Sequence, residues 1–362
     1  MIYQNMEEQK DTQRNEYINF WDWFLTREQD FYNVVKNGAQ QEIEKDFFDV
    51  ISPRLTEIKD GYYFLTGMRD EATAELIITV DGEIKNIAFA EELIEEAPEL
   101  AHWKFTALKP AIDIQKVNVN LDDNQFNKDN ISFYANEQEE YPDEIDLVFV
   151  YHGNAQNKNA MTTGVCIFLD NVLGELNFAT QIDTFAVIGI DEAQKELIPI
   201  EKLKDFLDWR EREFIEKYRT TQRADQEEEF SILRAHLEND RPLIACMNLG
   251  LLKYEATASY PWVCILKMHY NGDANDGLPE KEDFEKLSNI EDKAVEDLKK
   301  EGYLYIGRES ADNQKDSFFV GKDFRKISKV FNTLKKDNPE YRISYRIFKD
   351  KYWQYFKYYA AY

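Results

Sequence analysis

The chain opens in helical period. Tyr17, Phe20, Trp21 and Phe24, then Phe31, Val34 and Val35, recur three and four apart, as do Ile43, Phe47, Val50, Ile51 and Leu55. Two helices are predicted, divided at Gly38, with Pro53 bending or ending the second. The period then becomes extended. Tyr62–Leu65 and Ala74–Val80 read as strands about the turn Arg69-Asp70-Glu71. A helix follows (Phe89, Leu93, Ile94, Ala97), and Trp103–Leu108 is a third strand. This ββαβ order recurs in Ile131–Tyr134, Ile145–Tyr151, a helix over 162–179, and Phe185–Ile190. The two units could share one sheet.

A charged helix from Pro199 leads to a nearly all-polar stretch, Gln222–Glu229, where we place a domain boundary near residue 225. Beyond it come two strands, Phe230–Leu237 and Leu243–Leu252. From residue 261 the pattern is strand (Trp262–Tyr270), helix (Phe284–Leu298), strand (Tyr303–Arg308), strand (Phe318–Lys322), helix (Phe324–Leu334) and strand (Ile343–Phe348). That is the βαββαβ or ferredoxin-like order. The expected class is α+β, an α/β sandwich of two domains: residues 1–225, opening with two helices and carrying the ββαβ units, and residues 226–362, a ferredoxin-like plait.

Composition narrows the function classes. Apolar residues make up 43% and charged residues 31%, a globular balance. The net charge is −26, which disfavours nonspecific binding to nucleic acid or anionic membranes. The charge is uneven: residues 320–362 hold 11 basic and 4 acidic side chains. This basic end could dock on an acidic surface, or contact RNA as a lesser alternative. Cys166, Cys246 and Cys264 have no metal-type spacing and fit a reducing, cytoplasmic setting. The N-terminus has no apolar signal-type stretch, and no run of about 18 apolar residues predicts a membrane span.

Several stretches carry a family resemblance: Pro261-Trp262-Val263; Asn275-Asp276-Gly277-Leu278-Pro279; Asn289-Ile290-Glu291-Asp292; Tyr305-Ile306-Gly307-Arg308 with Ala311-Asp312-Asn313; and Phe318-Phe319 with Lys322-Asp323-Phe324-Arg325. In this order they resemble the uncharacterised family labelled domain of unknown function 695, over about residues 228–362. Residues 15–220 look like the region that often precedes that domain in bacterial proteins. The resemblance implies no established activity and transfers no catalytic residue.

Candidate chemistry is sparse. Walker, dinucleotide-binding, nucleophile-elbow and zinc-protease signatures are missing. Asp273, Asn275 and Asp276 with Glu280, Glu282 and Asp283 fail EF-hand spacing, because Leu278 stands where a glycine is needed. No metal site and no cofactor are expected. His152 ends a strand at a loop, with Asp170 and Glu175 on the next helix as candidate catalytic partners. These two carboxylates are five apart, about 500° of rotation, so they do not share one helix face. On the C-terminal sheet, alternation turns Lys267 and His269 away from Trp262, Cys264, Leu266 and Met268. Arg346, Phe348 and one of Tyr303 and Tyr305 could join them. Lys267, His269, Arg308 and Arg346 are the binding candidates. That face is expected to be covered by the first two strands, the N-terminal domain or the aromatic tail Tyr352–Phe356. The leading expectation is a non-enzymatic protein-binding or regulatory module; the alternative is a metal-dependent or hydrolase-like enzyme at His152.

Overall fold

The computed structural model describes residues 2–154, 157–219 and 229–360, with side chains from residue 13 to 359 within those ranges. It has two compact units. One runs through Asn136 and resumes at Asp146–Leu207; the other comprises Glu137–Ile145 and Asp208–Tyr362. The boundary expected near residue 225 lies outside the described residues.

The first unit begins with α1 (Ile2–Leu25), α2 (Glu28–Asn37), α3 (Gln40–Ile43), a π-helical turn (Glu44–Phe48) and α4 (Asp49–Ile58). The helical period therefore held, but the two expected helices are each interrupted. Pro53 does not end α4. It lies on the exposed side, where water can satisfy the carbonyl that its missing N–H leaves unpaired. Strands β1 (Tyr63–Met68) and β2 (Ala74–Thr79), helix α5 (Ile84–Glu95) and β3 (Trp103–Ala107) follow. β1 is antiparallel to β2, and β3 returns parallel to β2. Aromatic side chains fill the space between helices and sheet: Trp21 lies 4.5 Å from Phe105, and Phe24 5.2 Å from Trp103. The Trp21 indole N–H donates to the Leu93 carbonyl at 2.7 Å, so the large ring is buried without an orphan donor.

A small hairpin, β4 (Asn118–Leu121) and β5 (Asn124–Asn127), precedes the second ββαβ run: β6 (Ile131–Asn136), β7 (Asp146–Tyr151), α6 (Lys158–Leu173), α7 (Glu175–Gln181) and β8 (Thr184–Gly189). β9 (Ile198–Pro199) adds to β6, giving the order β8-β7-β6-β9. The two runs share a topology, hairpin then parallel return, but form separate sheets. Backbone groups at the ends of β2 and β3 are satisfied by a side chain, Glu175, rather than by a further strand. The helix expected over 162–179 is broken at Gly174, whose φ of +78° suits glycine.

Helix α8 (Leu203–Tyr218) crosses from the first unit's residues into the second's. The second unit then has β10 (Phe230–His236), β11 (Pro242–Asn248), α9 (Leu249–Leu252), β12 (Trp262–His269), α10 (Lys281–Lys300), β13 (Leu304–Ala311), β14 (Gln314–Gly321), α11 (Arg325–Asp337), β15 (Arg342–Lys349) and α12 (Lys357–Ala360). Its six strands run β10-β11-β13-β14-β12-β15, every pair antiparallel. Strand alternation gives each face its own core. Phe319 meets Phe331 of α11 on one side. Val263, Ile265, Phe318 and Val320 pack with Trp353, Phe356 and Tyr359 on the other. The class is α+β, as the pattern of elements implies. Among the described residues no helix is long and apolar enough to cross a membrane.

Candidate functional site

Asp170 and Glu175 are brought together, but around Lys109 rather than His152. The break at Gly174 frees their directions from one helical screw. Asp170 pairs with Lys109 Nζ at 2.9 Å. Glu175, 2% exposed, accepts from the Thr79 hydroxyl (2.6 Å) and the backbone N–H groups of Val80, Gly82 and Lys109 (2.9, 3.0 and 3.1 Å). Four donors on one carboxylate form a structural clamp. His152 lies exposed just past β7. Its Nε2 is 2.7 Å from the Ser132 hydroxyl, a partner that sequence spacing did not suggest.

Three binding candidates share one face of the six-stranded sheet. Lys267 and His269 project from β12, and Arg346 from the neighbouring β15, where it is the cross-strand partner of Ile265. Lys267 Nζ lies 3.1 Å from Asp316 Oδ2, and Gln314 donates to the other oxygen at 2.7 Å. Asp316 is directly opposite Glu309, which accepts from the Tyr359 hydroxyl. The Arg346 guanidinium sits 4.4 Å over the Phe348 ring. Covering this face is the segment after β15. The Asp350 carboxylate accepts from Gln354 and Tyr355 N–H at 2.9 and 2.8 Å. Trp353, in the left-handed region at φ +50°, donates to the Tyr260 carbonyl at 3.0 Å. The expected aromatic cover is present and extends to Tyr359.

Glu309 and Asp316 were missed, although the register was within reach. Asp312 and Asn313 both have positive φ, the two-residue hairpin turn that Asn and Asp tolerate. A turn centred there places Glu309 across from Asp316.

Arg308 lies on the opposite face, in a separate buried network. Glu291 of α10, 1% exposed, accepts from the Tyr305 hydroxyl (2.6 Å), the Ser317 hydroxyl (2.8 Å), Lys315 Nζ (2.8 Å) and Arg308 Nη1 (3.0 Å). Burial pushes the Glu291 carboxyl up. Lys315, the Tyr305 hydroxyl and Arg308 outweigh that and hold it below the ordinary glutamate value.

The stretches that carry the family resemblance meet in pairs. Glu291 joins Tyr305 and Arg308, as above. Gly277 accepts from Asn313 N at 2.9 Å, beside the Arg241–Asp312 pair at 2.5 Å. Trp262 packs on Phe324 at 4.8 Å. Near that corner an open pocket of about 270 Å³ is lined by Tyr260, Tyr303, Lys322, Asp323 and Lys326 among others. Asp273, singled out above as an acidic loop residue, is held by Arg241 (3.4 Å) and Asn313 (2.9 Å).

No curated protein matches this chain, and no solved structure does. Residues 231–359 match the model of a family described as "Family of unknown function (DUF695)". The C-terminal region of the chain is a DUF695 domain.

Proposed function

We propose that the protein is a non-enzymatic, protein-binding or regulatory module of the bacterial cytoplasm. We read the run from β12 to β15, whose strands lie in the order β13-β14-β12-β15, as a ferredoxin-like plait widened by β10 and β11. The observation that carries the binding reading is β10. It is the outermost strand on its side of the sheet, and alternate residues are exposed, Phe230 by 42% and Ile232 by 68%. An edge strand with uncovered apolar side chains is a template for an added strand or a packed partner. Ordinary edges are protected by charged side chains, proline or brevity; β10 has seven residues and no proline, and its one Lys, Arg, Asp or Glu is Arg234, which leaves the Phe230–Ile232 end without a charge. The test compares affinity capture from native lysate by the wild-type chain and by Ile232→Asp, which leaves the core untouched. A stoichiometric partner lost only in the variant supports the reading. Solitary purification of both proteins refutes it.

A hydrolase-like reading rests on the 2.7 Å Ser132–His152 pair, because a hydroxyl within hydrogen-bond reach of an imidazole is the elementary nucleophile–base arrangement. Ser132 is 4% exposed. Labelling by a fluorophosphonate probe in the wild type, lost in Ser132→Ala, supports this reading; absence of labelling removes it.

A further inference from the structure

Two carboxylates lie under the C-terminal segment with too little positive charge to match them. Glu309 and Asp316 are opposed residues of antiparallel β13 and β14, which sets their Cβ atoms about 5 Å apart. Asp316 is buried and Glu309 half-buried. The groups facing the pair come from four sides: Lys267 and His269 from β12, Gln314 from β14, Arg346 from β15, and Tyr355 and Tyr359 from the covering segment. From β11 the opposed residue is the apolar Ala245. Lys267 is committed to Asp316 at 3.1 Å, and Arg346 is exposed over Phe348. The Glu309 side chain is left with a phenol, Tyr359, that belongs to the cover itself.

The cover is a short strap. Asp350 N donates to the Pro261 carbonyl at 2.7 Å and so starts it from the strand edge. Phe318, at the centre of the face, touches Tyr355, Phe356 and Tyr359 at 6.0, 5.5 and 6.1 Å between ring centres. The apolar rings hold it down, and the carboxylate pair lies at its far end.

We propose that residues 350–359 form a pH-governed cover, docked when Glu309 and Asp316 share no more than one negative charge and loosened when both are ionised. Loosening would open the apolar face of Val263, Ile265, Phe318 and Phe348. Burial raises both carboxyls above their ordinary values; at Glu309 the neighbouring Asp316 adds to the rise, and the Tyr359 hydroxyl and Lys267 offset only part of it. Uncovering restores water to both groups and returns them toward ordinary values. The docked form therefore binds more protons than the open form, and docking weakens as pH rises across the interval between the two sets of values. Each pH unit of that interval, for one group, is a factor of about ten in the docked-to-open ratio. At the root of the strap, Asp143 accepts from Tyr352 and lies below the usual carboxylate range, so it stays ionised across this interval.

The test is hydrogen exchange of the full-length chain at pH 5 and pH 8, corrected for intrinsic rates and read on a peptide spanning 350–360. Wild-type protection is expected to fall on the order of tenfold at the higher pH. Glu309→Gln/Asp316→Asn keeps the size of both groups and one carbonyl acceptor on each while removing the ionisable protons, and its protection is expected to be the same at both pH values. Lys267→Met, which tests the same logic in the opposite direction, is expected to loosen the strap at lower pH than the wild type. A wild-type strap whose protection does not change with pH overturns the proposal. So does pH dependence that survives in the double variant, or a Lys267→Met profile that does not move downward.

Discussion

Replacing Glu291 by leucine isolates a charge in the interior of the C-terminal unit. Lys315 has 2% of its side chain exposed and reaches Glu291 at 2.8 Å. Breaking a buried pair from one side costs about 3–5 kcal/mol, because the remaining ion is neither paired nor hydrated. Arg308 adds little, since about a third of its side chain is exposed and can turn to water. The Tyr305 and Ser317 hydroxyls also lose their acceptor, which places Glu291→Leu toward the upper end of that range. For a unit of this size, about 2–4 °C per kcal/mol puts the loss in melting temperature at about 6–20 °C. Scanning calorimetry is the assay, because two units can melt separately and a single-probe midpoint would mix them. Two controls sharpen it. Glu291→Leu/Lys315→Met removes both charges and is expected to recover most of the loss. In the single variant the unpaired Lys315 prefers its neutral form when folded, so the unfolded chain binds more protons and the deficit shrinks from pH 7 toward pH 10. A Glu291→Leu protein melting within about 1 °C of wild type, or a double variant as unstable as the single one, would refute the reasoning.

Three further outcomes are expected. Glu175→Ala strips four donors of their acceptor and is expected to lower the stability of the first unit by about 3–5 kcal/mol in urea; a loss below about 1 kcal/mol contradicts the clamp. Gly307→Ala puts a Cβ 2.3 Å from the Cys246 carbonyl at a φ of +148°, so the β13 bulge must distort; a cost above about 2 kcal/mol is expected, and an unchanged melt would contradict it. Burial raises Asp143, but Lys217, Tyr352 and Tyr218 outweigh burial and hold it below the usual aspartate value. Its contribution is therefore present above the unfolded value and lost as pH falls through the folded one. Asp143→Asn is expected to melt lower than wild type at pH 7, with the gap closing toward pH 3; a gap that stays constant with pH counts against the assignment.

Period was readable where a helix had one buried side, and a strand buried on both faces was readable as a short unbroken apolar run. The spacing of Leu287, Ile290, Ala294 and Leu298 placed α10 closely, and the run Trp262–Leu266 placed β12. Breaks were not readable, because apolar spacing continues through them. Leu173 and Leu176 span the Gly174 break as if the helix were whole, and nothing in Glu44–Phe48 announces a π turn. Polar clusters were the least legible. Glu291 and Lys315 are ordinary charged residues in their own segments, and only the packing of α10 on β13 and β14 makes them partners. Lys267 and Arg346 were placed on a shared face by strand parity, yet the carboxylates beneath the strap required register as well as parity. His152 was noticed for its loop position, but Ser132 sits twenty residues earlier, inside a strand.

The segment Glu137–Ile145 joins β6 to β7, yet it belongs to the second unit. Within that unit Asp143 receives hydrogen bonds from Tyr352 at 2.7 Å, Tyr218 at 2.8 Å and Lys217 at 2.8 Å, and its carbonyl accepts from Lys351. The stretch that matches the family, 231–359, is therefore shorter than the body it folds into. A fragment cut at those limits would lack Asp143, whose carboxylate accepts from the Tyr352 phenol and whose carbonyl accepts from Lys351, just where the chain begins its final turn. For this protein the stretch that defines family membership and the compact unit that contains it have different edges, and the excess includes nine residues borrowed from the middle of an earlier hairpin.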